Sequence, residues 1–187
     1  MHQRSLTTAI AIATLVGIAP AVLAAPVLME PAWAQEACAA WNQNDILTGE
    51  LAASGWSKND KGRGYKIIRI YRQDCPDSPH AELRFADKDG KATCVSGGAA
   101  TDVPLLGDAD YLMWAETERW LQMGKGDYGP MRAMMFGRLK FEGPMWEAMG
   151  NMGPFEQFLL LVGKVAADGG QCPKAVANAV REQPPAP

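Results

Sequence analysis

AMMFGRLKFEG, residues 133–143, is the stretch from which the architecture can be read. Gly137 and Gly143 bracket a short alternating run, with Leu139 and Phe141 on one side and Arg138 and Lys140 on the other. Glycine permits bends and close backbone approach, so the run reads as a strand with an apolar inner face and a cationic outer one. It holds no nucleophile, base or metal ligand. It therefore speaks to fold before function.

The surrounding stretch from Gly107 to Val162 contains eight of the ten methionines: Met113, Met123, Met131, Met134, Met135, Met145, Met149 and Met152. Trp114, Trp120 and Trp146 lie in it too. Flexible, polarizable methionine suits a surface that fits varied apolar shapes, although apolar stripes also make ordinary core. Asp108 or Asp110 can cap a helix running to Gln122 or Met123, with Gly124 as its stop. Pro130 opens a short helix from Met131 to Phe136. Pro144 starts another, carrying Met145, Met149 and Met152, which Gly153-Pro154 breaks before Phe155, Leu159 and Val162 continue the apolar face.

Upstream the pattern is β. Tyr65 to Arg72 is β-branched and aromatic, and sets Ile67, Arg69 and Tyr71 against Ile68, Ile70 and Arg72. Ala81 to Ala86 alternates cleanly, Asp87 to Gly90 is a hairpin turn, and Lys91 to Ser96 returns. Ala100 to Leu105 is expected as a fourth, shorter strand. Short connections favour antiparallel pairing. Gln35 to Ser57 reads as one or two helices capped at Asn44 or Asp45, and Ser57 to Gly64 as a loop with no phosphate-binding motif.

Strands first, then helices around one last strand, make an α+β order. Within it, Asp110-Tyr111-Leu112, Met123-Gly124-Lys125 and Ala133 to Gly143 resemble the SCP-2 sterol-carrier family. Gly137 to Gly143 matches that family's Gly-[Lys/Arg]-Leu-[Lys/Arg]-apolar-x-Gly element at each position. The resemblance runs from about Tyr65 to Val162. It implies a five-stranded, mainly antiparallel sheet covered by helices, enclosing an apolar tunnel for a sterol or fatty acyl ligand. Lining residues follow by position and polarity: Met113, Trp114, Trp120, Met131, Met135, Phe136, Phe141, Met145, Met149, Met152, Phe155 and Phe158. The C-terminus, Pro185-Ala186-Pro187, departs from the peroxisomal address of some members.

The N-terminus looks like an export leader. Thr8 to Leu23 is apolar, and Ala32-Trp33-Ala34 fits the small-residue rule for cleavage; a cut after Ala24 fits it as well. The reading takes residues 1–34 as signal peptide, 35–182 as one domain and 183–187 as a disordered tail, with a small-residue helix after Cys172-Pro173. The remaining chain of about 150 residues is long enough for a single core. Four cysteines in an exported chain argue for two disulfides, expected as Cys75–Cys94 and Cys38–Cys172. The absence of C-x-x-C excludes c-type haem, thioredoxin-like and zinc-knuckle readings.

The formal charge of −3 and the lack of a basic stripe argue against nucleic acid. His80 sits in a turn, and neither G-x-S-x-G, H-E-x-x-H nor a dinucleotide glycine motif is present, so no enzyme, cofactor or metal is expected. The expected protein is a periplasmic carrier that holds a lipid and touches a membrane or envelope transporter in passing. The competing reading is a non-catalytic accessory module that docks an envelope protein through a Met/Trp-rich surface.

Overall fold

The computed structural model describes residues 24–174. Most of the expected leader, the expected helix after Pro173 and the tail at 183–187 lie outside the described residues.

Alternation in Lys66–Arg72 makes β1, the middle strand of the sheet. It turns at Cys75 into β2 (Ala81–Lys88), which folds back as β3 (Lys91–Ala99). Asp89 (φ 52°) and Gly90 (φ 74°) make that turn left-handed at both central positions, as a tight hairpin requires. The chain then crosses the sheet to form β4 (Tyr111–Ala115) beside β1, and β5 (Lys140–Glu142) closes the far edge. The order is β3-β2-β1-β4-β5, antiparallel except for the parallel pair β1–β4. The expectation of a five-stranded, mainly antiparallel α+β sheet holds, with β1–β4 as its one parallel pair.

Two elements differ from expectation. Ala100 to Leu105 forms no strand, and Tyr111–Ala115 is a strand rather than the start of a helix. All five residues of β4 are apolar or aromatic, Tyr111, Met113 and Ala115 buried and Leu112 and Trp114 half-buried on the outer face. Such a run cannot be told from buried helix by periodicity. Asp110 is accordingly no helix cap. It is buried and accepts from both terminal nitrogens of Arg63 (3.0 and 2.6 Å) and from the backbone N–H of Ile67 and Leu106 (2.7 Å each).

Helices cover the inner face, formed by Ile68, Ile70, Leu83, Phe85, Tyr111 and Met113. Helix α1 (Pro31–Asn42) lies on β3: Trp41 donates to Ala92 O (2.8 Å), and Asn42 pairs with both backbone groups of Cys94 (2.8 Å each). A Cβ on Gly97 would meet Ala34 O at 2.1 Å, so glycine permits this contact. Asn44 accepts from Ile46 N and Leu47 N (3.0 and 3.2 Å), the expected cap, and opens a π-helical turn (Ile46–Glu50) that runs into α2 (Leu51–Ala53). After β4 come α3 (Thr117–Lys125), α4 (Pro130–Met135), α5 (Met145–Gly150) and α6 (Met152–Lys164). Gly124 lies inside α3, and Gly126 (φ 80°) ends it. Gly153-Pro154 falls in the first turn of α6, where proline costs no hydrogen bond.

The disulfides are Cys38–Cys94 and Cys75–Cys172, correcting the expected pairing. Cys94 faces inward onto α1, which puts it out of reach of the turn that carries Cys75. Arg72 reinforces the second bridge by donating to Gln171 O (2.6 Å) and Gly169 O (2.8 Å). At the other end, Leu28, Met29, Trp33 and Ala34 are core residues, and Val27 bridges to Asp168. The folded unit thus includes residues ahead of position 35.

Candidate ligand-binding site

An apolar cavity lies between the sheet and the helices. Trp41 and Leu51 form one wall, Trp56 an end, Ile68 and Tyr111 the floor, and Pro154, Phe155 and Phe158 of α6 the roof. Ala148 and Asn151 close it from the side of α5. The side chains arrive there because β1 and β4 turn alternate residues inward and α6 is apolar along the face that meets them. Trp41, Trp56 and Phe85 pack with ring centroids 4.2–5.9 Å apart. In place of the expected tunnel, the cavity has a free volume of about 20 Å³, the space of a single water.

A polar cluster adjoins the aromatic end. Lys66 is fully buried, on the same face of β1 as Ile68. Its ammonium pairs with the Glu147 carboxylate of α5 and sits over the rings of Trp56 (4.7 Å) and Tyr111 (4.9 Å). Glu147 also accepts from Tyr111 OH (2.9 Å) and Asn59 Nδ2 (2.7 Å). Burial pushes the Lys66 ammonium below its ordinary pKa, against the opposing pull of Glu147. Burial, with the nearby Glu147 charge, pushes the Tyr111 phenol up, so it stays a proton donor. Sequence reading missed this cluster. The signal was Lys66 itself, placed by alternation beside Ile68 and Ile70.

The expected lining residues divide into four groups. Phe155 and Phe158 line the cavity. Met113, Trp120 and, partly buried, Phe141 and Met152 belong to the core or pack against it; Trp114 is on the other side of the sheet, stacked on Tyr71 (5.7 Å). Met131, Met135, Phe136, Met145 and Met149 are exposed, Met135 at 72% and Phe136 at 64%, and none lines the cavity. Trp146 joins them at 88%. The short helices α4 and α5, on either side of β5, therefore present methionine and aromatic side chains to solvent. Cavity residues Trp41, Leu51, Trp56 and Ile68 escaped notice because they come from segments read as plain helix and strand.

A sequence model of the SCP-2 sterol transfer family matches residues 51–156, more than half of the chain. The chain belongs to that family. The matched span carries the cavity floor, the Lys66–Glu147 cluster and both exposed short helices. A conserved hypothetical protein of Thermus thermophilus, described as a candidate sterol carrier protein, has a solution structure with the same fold. It is 20% identical at a TM-score of 0.50, over 75% of this chain and 91% of its own. A crystal structure of sterol carrier protein 2 is 18% identical at a TM-score of 0.48, over 74% of this chain and 99% of that one. No curated protein matches. Apolar-ligand binding, the family's character, is thus the frame for the cavity here.

Proposed function

We propose that this protein is an exported, non-catalytic carrier that takes up one lipid between sheet and helices and delivers it at a membrane surface. The observation that carries the reading is the apolar cavity walled by Trp41, Trp56, Phe155 and Phe158, in a chain of the SCP-2 family. A lipid-sized site needs roughly 300 Å³ or more. Loading therefore requires a helix to move outward, and α5 is the candidate. Its inward residues are small or polar (Ala148, Glu147), while Met145, Trp146 and Met149 point to solvent. An element with few buried apolar contacts opens most cheaply.

The exposed residues of α4 and α5 suit the headgroup boundary of a bilayer, where tryptophan is enriched and apolar side chains insert. Arg132, Arg138 and Lys140 in the same segment supply attraction to anionic lipid. A second reading, an accessory module docking an envelope protein, rests on those same exposed methionines. The paired disulfides fit an oxidising compartment such as the periplasm. Cleavage after Ala24 fits the fold, because a cut after Ala34 would strip Leu28, Met29, Trp33 and Ala34 from the core.

The test combines lipid extraction of the purified exported protein with a transfer assay between vesicles containing anionic lipid. Co-purifying lipid, or displacement of a fluorescent fatty acid, is expected. The variant M135S/W146S should keep ligand affinity within about twofold while transfer falls about tenfold, the loss of two inserting side chains. Absence of any bound or displaceable lipid would refute the carrier. Unchanged transfer would leave the exposed face to a protein partner.

A further inference from the structure

The Glu147 carboxylate is held by three donors that belong to the fixed frame rather than to its own helix. Lys66 comes from β1, Tyr111 from β4 and Asn59 from the turn after Trp56. Lys66 and Tyr111 meet one carboxylate oxygen and Asn59 meets the other. A carboxylate fits this arrangement because it offers two planar acceptor oxygens. Trp56 and Tyr111, whose rings flank the Lys66 ammonium, are also walls of the apolar cavity. Polar cage and greasy cavity thus share a boundary.

We infer that Glu147 occupies, in the closed protein, the headgroup site of a long-chain carboxylate ligand. When α5 swings out, a fatty acid carboxylate takes the place of Glu147 at Lys66, Tyr111 and Asn59, and its acyl chain fills the opened cavity. This rests on the carrier reading above and specifies its cargo. The frame explains the choice: Lys66 is a fully buried ammonium whose acceptor is Glu147. An uncharged ligand that displaced Glu147 would leave that ammonium without a counter-charge, which is strongly unfavourable. An anionic ligand restores it. The helix that moves has the means to do so. Gly143 (φ 144°) and Pro144 precede it, Gly150 ends it with open space around its Cα, and its large apolar side chains leave the core uncommitted.

Competition binding with delipidated protein tests the exchange, using palmitate and its uncharged counterpart hexadecanol. Wild type should bind palmitate at least about thirtyfold more tightly, the effect of one buried ion pair and two hydrogen bonds to a charge. In K66M/E147Q both charges are gone together, a change that buried pairs tolerate. There the two ligands should bind within about threefold of each other, with hexadecanol no weaker than in wild type. Y111F keeps the ring and removes one donor, and should lower the preference by about fivefold. Equal binding of the two ligands by wild type overturns the exchange and leaves the carrier standing. A preference that survives K66M/E147Q, or Y111F if the double variant does not fold, overturns it likewise. Binding of neither ligand overturns the fatty-acid cargo; the carrier reading falls with it only if lipid extraction also returns nothing.

Discussion

Glu82 shows how single side chains hold the outer face of the sheet. Its carboxylate accepts from Arg69 (2.5 Å) and Arg84 (2.8 Å), and the same Arg69 donates to Thr101 O and Val103 O at 3.1 and 3.0 Å. This clamp fastens the crossover from β3 to β4, which is why Ala100 to Leu105 lies as a pinned loop. Burial raises the Glu82 pKa, but hydrogen bonds from Arg69, Arg84 and the Thr101 backbone outweigh it and leave the group below the usual carboxylate range. The unfolded chain then binds more protons between the folded pKa and about 4.3. The stabilisation is complete above that pH and is lost as pH falls through the folded value. E82Q should cost about 2 kcal/mol at pH 7 and flatten the pH dependence of the urea midpoint below pH 5. A wild-type slope in E82Q would remove Glu82 from the account. Alternation made the inward and outward sets of β1 legible. Most partners were not, since Asp110, Glu147 and Glu82 meet Arg63, Lys66 and Arg69 from more than ten residues away.

At the scale of elements, α3 and α6 meet where two glycines face each other. A Cβ on Gly163 would lie 2.1 Å from Gly124 O, and one on Gly124 would lie 2.6 Å from Gly163 N. G163A should therefore force the helices apart and cost about 1–3 kcal/mol, an overpacking penalty. G49A, whose added methyl meets nothing within 4 Å, should be neutral or slightly stabilising. Chemical denaturation of both variants checks the contrast; equal effects would show that backbone entropy alone is at work. Sequence reading gave Gly124 the role of a stop, because a helix end and a helix crossing both ask for glycine. The strand at Gly137 to Gly143 was legible because its alternation and its bounding glycines agree. β4 was not, because its outer face carries Leu112 and Trp114 and so has no polar side to mark its period.

Across the whole molecule, the two bridges tie the edge strand β3 and the end of the middle strand β1 to segments near the two ends of the described residues. Cys38–Cys94 spans 56 residues and fixes α1 to β3; Cys75–Cys172 spans 97 and fixes the C-terminal segment beside β1. Loops of such lengths give about 4 kcal/mol per bridge in the chain-entropy account. C38S/C94S and C75S/C172S should each lose stability of that order in urea unfolding, and non-reducing peptide maps should return these two pairs. A loss under about 1 kcal/mol would mean that the unfolded chain was not constrained by the bridge. Architecture and family were readable from one motif and the order of elements. The pairing was not, because it depends on which face of β3 turns toward α1, and a bulge between Arg84 and Phe85 in the β2–β3 register hides that from simple alternation.

The exposure of Trp146 has an optical consequence. Trp33, Trp41, Trp56 and Trp120 are buried and Trp114 is half covered, so Trp146 is the indole most fully in water. Its emission lies at the red edge of the protein's fluorescence and answers first to a soluble quencher. If α5 docks on a bilayer as proposed, that component should shift to the blue and be shielded from the quencher while the buried indoles stay constant. The unlabelled protein would then report its own docking in light; an unchanged spectrum with anionic vesicles would count against α5 as the docking element.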